Sequence, residues 1–191
     1  MHAPRRAASR LLTAVLVALL AVAGVAAEAR TEGGSLERLR RTLTEAERAR
    51  DGGDLERAAD LYRRARDEAS GLGKVNLPLA RALDGLADVH RLSGRPAESA
   101  PLYLRAAAMW ESLLGEGQPR LAVTLHNLGL VYLAEGRSDL ATPRLRRALE
   151  IWESTLGADS PQARNTSRAL REAARGTEDT APLDPRAAGR P

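Results

Sequence analysis

Cysteine and phenylalanine are both missing from the 191 residues, Lys74 is the only lysine, and aromatic residues make up 3% of the chain. Without cysteine there can be no disulfide, no thiol nucleophile, no thiolate metal site and no lipid-modified cysteine. The scarcity of rings argues against a sheet held by aromatic and β-branched pairs. Ala and Leu supply most of the apolar side chains, which favours close-packed helices, so the composition reads as all-α. Basic runs interleaved with aromatics, the mark of a nucleic-acid groove, are missing as well. The formal charge of +4 does not restore that reading, because without Arg5, Arg6 and Arg10 the chain has 26 basic side chains against 25 acidic ones. No nucleic-acid partner is expected. Nor is there a Gly-rich phosphate loop or a nucleophile elbow, and after residue 29 only His90 and His126 remain as histidines. The expectation is a protein with no catalytic residues, no cofactor and no metal, hence not an enzyme.

One apolar run is present. Arg5, Arg6 and Arg10 precede the stretch from Leu11 to Ala27, which ends in small residues, with Val25 and Ala27 suited to cleavage before Glu28 and Ala27 with Ala29 offering a second site. That order is the order of a secretory signal peptide. The alternative for residues 1–29 is an uncleaved membrane anchor, since the run is at the lower edge of what spans a bilayer. Either way the remainder is expected to be exported, periplasmic or secreted, or else tethered at the membrane.

The dominant pattern is a repeat. Residues 79–120 laid over 121–162 share 16 identities without a gap, against roughly four by chance in so biased a composition. Each unit shows two helical apolar patterns separated by a Gly-Arg turn, Gly94-Arg95 and Gly136-Arg137. Gly115 and Gly157 suit the left-handed position just past a helix, and Pro119 and Pro161 suit the first turn of the next one. Both tryptophans, Trp110 and Trp152, stand at equivalent places near the end of a second helix, where a ring can pack between adjacent units. A worn first copy occupies about 36–78, in which Thr42 and Glu45 stand where later copies have Leu83, Leu86, Leu125 and Leu128. Residues 161–175 read as a capping helix, with Ala163, Thr166, Leu170 and Ala173 inward and Arg164, Arg168, Arg171 and Arg175 outward. Residues 30–35 and 176–191 read as a linker and a disordered tail. Pro101 and Pro143 fall inside the expected second helices, where each forfeits a backbone hydrogen bond at up to about 3 kcal/mol.

The third copy, "LAVTLHNLGLVYLAEGRSDLATPRLRRALEIWESTLG", resembles a tetratricopeptide repeat of the 42-residue kind found in kinesin light chains and bacterial scaffold proteins. Its landmarks are Leu128-Gly129, Tyr132, Gly136, Ala141 and Ala148, matched in the second copy by Leu86-Ala87, His90, Gly94, Ser99 and Ala106. Departures are His90 for the usual Tyr, and Leu145 where an aromatic is common. The resemblance, over about 36–175, implies a right-handed α-α superhelix of three helix pairs plus a C-terminal capping helix, with the first helices lining a concave face. It assigns Arg81, Asp84, Gly85, Asp88 and Arg91 of the second copy, and Val123, His126, Asn127, Leu130 and Leu133 of the third, to that groove. Asn127 is the leading candidate, because its amide can both donate to and accept from an extended peptide backbone. The spacing also lets Asp84 pair with Arg81, or Asp88 with Arg91, as ordinary surface ion pairs. The implied function is an exported interaction module for a protein or peptide partner. The alternative is a membrane-tethered spacer or a scaffold that self-assembles as a homo-oligomer.

Overall fold

The computed structural model describes residues 34–179, with side chains to 176; residues 1–29, expected as signal or anchor, lie outside them, as do 30–33 of the expected linker and 180–191 of the expected tail, whereas 34–35 and 176–179 are helical rather than linker or tail. Seven helices and no strand occur among the described residues: α1 (34–51), α2 (Leu55–Ser70), α3 (Leu77–Leu92), α4 (Pro96–Leu114), α5 (Pro119–Ala134), α6 (Ser138–Leu156) and α7 (Pro161–Asp179). The chain divides into two units, 1–41 and 42–191, with the division inside α1. In the described part of the first unit Leu39 is buried and Arg41 pairs with Glu37 one turn earlier.

In the second unit consecutive helices pack in sequence order from α2 to α7. The helix starts follow from local chemistry. Asp54 caps α2 by accepting from the Arg57 amide, and Asn76 caps α3 by accepting from Leu79 at 2.8 Å. The same Asn76 amide donates to the carbonyls of Ala69 and Gly73, tying the end of α2 to the start of α3. Helices α4 and α5 have no side-chain cap, but Pro96 and Pro119 open them with φ already set and no amide to satisfy. Gly53, Gly94 and Gly136 turn the chain within each pair at φ 81°, 68° and 71°. Gly115 and Gly157 differ from the expected left-handed helical position. Their angles of (91°, 172°) and (87°, 156°) are extended with positive φ, a region open essentially to glycine alone. Helices α4 and α6 run unbroken through Pro101 and Pro143.

The direction of curvature can be read from which helices meet. First helices of neighbouring pairs approach one another, α3 against α5 and α5 against α7, whereas α2 does not approach α4, nor α4 approach α6. The second helices therefore splay on the outer side. A cleft of about 340 Å³ between α4 and α6, floored by Leu125 and Leu128 of α5, is the visible result. Glu111 and Arg147 bridge that cleft with an ion pair at 2.6 Å. Between the layers lies a core of small and branched residues that includes Ala87, Leu128, Val131, Leu145 and Ala173, filled out by the rings of Tyr103 and Tyr132. Trp110 and Trp152 are both buried at their equivalent positions, and α7 covers the end of the stack with Ala163, Thr166, Ala169 and Ala173 inward and its four arginines outward.

One packing detail separates the two strong repeats. Gly85, expected in the groove, is buried beneath the Tyr62 ring of the preceding pair, and a Cβ at position 85 would lie 2.2 Å from that ring. The worn first repeat keeps its tyrosine, and the second repeat accommodates it by having no side chain there. Gly85→Asn, which would copy Asn127 of the next repeat, is expected to lower stability by about 1–3 kcal/mol in urea unfolding. Tyr62→Leu, which copies Leu145, should recover part of the loss when combined with it. Independent, additive losses would refute this contact.

Candidate functional site

The inner side of the second unit is built from α3 and α5, with α1 and α7 beside them. Asp88 on α3 is its organising group. Its Oδ1 accepts from Arg91 Nη2 at 3.0 Å, from Asn127 Nδ2 of α5 at 3.1 Å and from the Tyr103 hydroxyl of α4, while its Oδ2 accepts from Arg50 Nη1 of α1 at 3.3 Å. Burial, and then the Asp88 charge beside it, hold the Tyr103 phenol well above its ordinary range, so it stays a donor. One carboxylate thus ties four helices through charge-assisted bonds. Asp88 and Arg91 pair as the sequence spacing allows, and Asn127 joins them by spending one amide hydrogen inside the protein.

The remaining expected residues are placed differently. Arg81 does not pair with Asp84; it reaches Glu47 of α1 at 2.7 Å. Asp84 does not face the groove. It is buried in the seam between α3 and α5, where it meets Thr124 Oγ1 at 2.7 Å, because an aspartate at this register points into the neighbouring first helix. Burial pushes its carboxyl up to about 7; the Thr124 hydrogen bond pulls the other way, Asp88 raises it further, and Arg120 and Arg50 lower it. His126 is the equivalent residue one repeat on, and its Nδ1 lies 3.0 Å from Thr166 Oγ1 of α7. Burial, with Arg91 nearby, lowers its basicity, so it is neutral at pH 7.

Val123, 37% exposed, and half-buried Leu130 present the apolar part of the α5 surface. An opening of about 180 Å³ lies beside Val123 and His126, lined otherwise by Trp152, Gln162, Asn165 and Thr166. No charged side chain lines it. One repeat earlier the equivalent positions carry Arg81, Asp84 and Arg120 in place of Val123, His126 and Gln162, so the uncharged lining is particular to the third copy.

Of the expected residues, the structure brings Asp88, Arg91 and Asn127 into one network and sets Val123 and His126 at one opening. Arg50, Tyr103 and Thr124 complete these arrangements without a role expected from sequence, and Trp152 and Thr166, expected only as packing residues, join them. Thr124 and Thr166 were within reach of the repeat alignment, being 42 residues apart and each 40 residues after the group it meets. Among the described residues no group of three His, Asp or Glu side chains is placed to hold a metal ion, and no helix is long and apolar enough to cross a membrane.

Comparison with known proteins gives the family. The profile described as "Tetratricopeptide repeat" matches residues 78–154 and 120–181. Among curated proteins, none matches the chain by sequence. Among solved structures, a Podosopora anserina protein with nearly identical TPR-like repeats, described as a candidate kinesin light chain, superposes with a TM-score of 0.65 at 22% identity, covering 74% of this chain and 67% of the other; a variant of that protein gives the same values. BtubC (BKLC) from P. vanneervenii superposes with a TM-score of 0.61 at 19% identity, over 80% of this chain and 69% of that one. These likenesses show the fold, a right-handed α-α superhelix, whose proteins generally mediate protein–protein interaction. With the profile matched across more than half its length, the chain belongs to the tetratricopeptide repeat family.

Proposed function

We propose that this chain is an exported, non-enzymatic interaction module that holds an extended or helical segment of a partner protein against the inner face of α3 and α5. The observation that carries the reading is the uncharged, Trp152-floored opening beside exposed Val123, adjoining Asn127 and Leu130 on the same helix. It offers a recess for a neutral side chain next to an amide whose oxygen can accept from a peptide N–H. Asp84, Asp88 and Arg91 act in this reading as the frame that holds α5 in place and Arg81 ties α3 to α1, with only the exposed parts of Asp88 and Arg91 touching a partner. Export rests on residues 1–29. Its check is the mass of the chain recovered from the cell envelope, which should begin at residue 28 or 30.

The groove is tested by position. A photo-crosslinking amino acid at Val123 or Leu130 should capture a partner that one at Leu104, on the outer cleft, does not. Val123→Arg and Leu130→Glu should each weaken binding of that partner by roughly tenfold or more, with helical content unchanged. Capture at Leu104 alone would sink the reading. Adducts of twice the chain mass would favour the self-assembling scaffold instead.

A further inference from the structure

The two seams between first helices are built alike but sealed by groups of opposite acid–base character. In the α3–α5 seam Asp84 Oδ1 meets Thr124 Oγ1 at 2.7 Å, and Thr124 Oγ1 also meets the Arg120 carbonyl at 3.0 Å. In the α5–α7 seam His126 Nδ1 meets Thr166 Oγ1 at 3.0 Å, and Thr166 Oγ1 meets the Gln162 carbonyl at 2.8 Å. A threonine hydroxyl has one proton. If Thr124 donates it to the Arg120 carbonyl, the second contact needs a proton on Asp84; an ionised Asp84 competes with that carbonyl for the single hydrogen. If Thr166 donates to the Gln162 carbonyl, a neutral His126 with its proton on Nδ1 completes the chain, and a second proton adds only a half-buried positive charge.

We propose that the stack is a proton-operated device in which acidification tightens the seam between α3 and α5 and loosens the seam between α5 and α7. Around Asp84, burial and then Asp88 on its own helix oppose ionisation, while the Thr124 hydroxyl, Arg120 of α5 and Arg50 of α1 favour it. Burial outweighs all three, because the carboxyl is enclosed between the two helices and a single hydroxyl replaces the water it gives up. Around His126, Arg91 of α3 opposes a second proton; Trp152 of α6 and Gln162, Asn165 and Thr166 of α7 are all uncharged, and no carboxylate lines its surroundings. Lowering the pH therefore removes a buried negative charge from one seam and places a half-buried positive charge, with no carboxylate to meet it, in the next. The helix released is α7, which forms one wall of the opening beside Val123, so acid widens the inner face at that end and leaves the α3–α5 frame firm.

Hydrogen exchange on the whole chain tests this, comparing protection at about pH 7.5 and about pH 5 after correction for intrinsic rates. On acidification, α7 is expected to lose protection while α3 and α5 gain it, by at least roughly tenfold where opening exposes Asp84. Asp84→Asn should abolish the gain and leave the loss; His126→Asn should abolish the loss and leave the gain. A uniform change along the chain, or opposite changes that survive both substitutions, overturns the proposal. The unmodified chain gives an independent answer by NMR titration. Asp84 titrating in the ordinary carboxylate range, or His126 titrating no lower than a free histidine, would equally overturn it.

Discussion

Asp88→Ala is expected to lower stability by about 3–5 kcal/mol at neutral pH, the range for removing one partner of a buried charged network. The loss is large because the carboxylate serves Arg50, Arg91, Tyr103 and Asn127 together, and its side chain is only 16% exposed. Truncation strands two guanidinium groups and a buried phenol without their common acceptor. The midpoint in a thermal melt followed by circular dichroism should fall by roughly 10 °C or more. Asp88→Asn, which keeps acceptor oxygen but not charge, should lose less, and Asn127→Ala less again because it removes one neutral donor. A loss below about 1 kcal/mol for Asp88→Ala would mean that the network is a solvated surface cluster.

Asp84 should contribute a loss of stability as pH rises from about 4 to about 7, read as the growing gap between the wild-type chain and Asp84→Asn. The carboxyl has an ordinary value of 3.8 and is held at about 7 in the fold. Between those values the unfolded chain binds fewer protons at this residue than the folded chain, so ionisation favours unfolding. The contribution is fully present below about 4 and lost once the pH exceeds 7. The gap between those two values corresponds to about 4 kcal/mol, a ceiling for the gain that Asp84→Asn brings at pH 8. At pH 4 the two chains should unfold at nearly the same urea concentration. Asp84→Asn should also keep the seam sealed, since its amide can donate to Thr124 while Thr124 donates to the Arg120 carbonyl. A wild-type chain whose stability is flat from pH 4 to 8, with no benefit from the substitution, would contradict the buried placement of Asp84.

The repeat frame was legible because it is written in apolar spacing and turn chemistry, which are local. Gly94-Arg95, Gly136-Arg137, Pro119 and the two tryptophans announce helix pairs without reference to partners distant in sequence. The inner surface was less legible, because its residues were assigned by position on one helix, whereas their roles depend on the next. Asp84 and Asp88 stand one turn apart with the same chemistry, yet one is buried against Thr124 and the other gathers four partners. Gly85 reads as a missing Asn until the Tyr62 ring of the preceding pair is seen lying over it. Arg50 and Tyr103 were invisible for the same reason, since the carboxylate they serve is contributed by another helix. The outer cleft arises from the splay of α4 and α6, a geometric effect with no motif of its own.

Asn127 finds its acceptor because the preceding repeat carries a carboxylate at position 88; the third repeat carries Leu130 at the equivalent place. A duplicate of repeat three inserted after itself would set its asparagine against leucine, with no acceptor to meet. Neighbouring modules here are keyed to one another at this contact, so a copy added by gene duplication alone would join its neighbour without the Asn127–Asp88 tie.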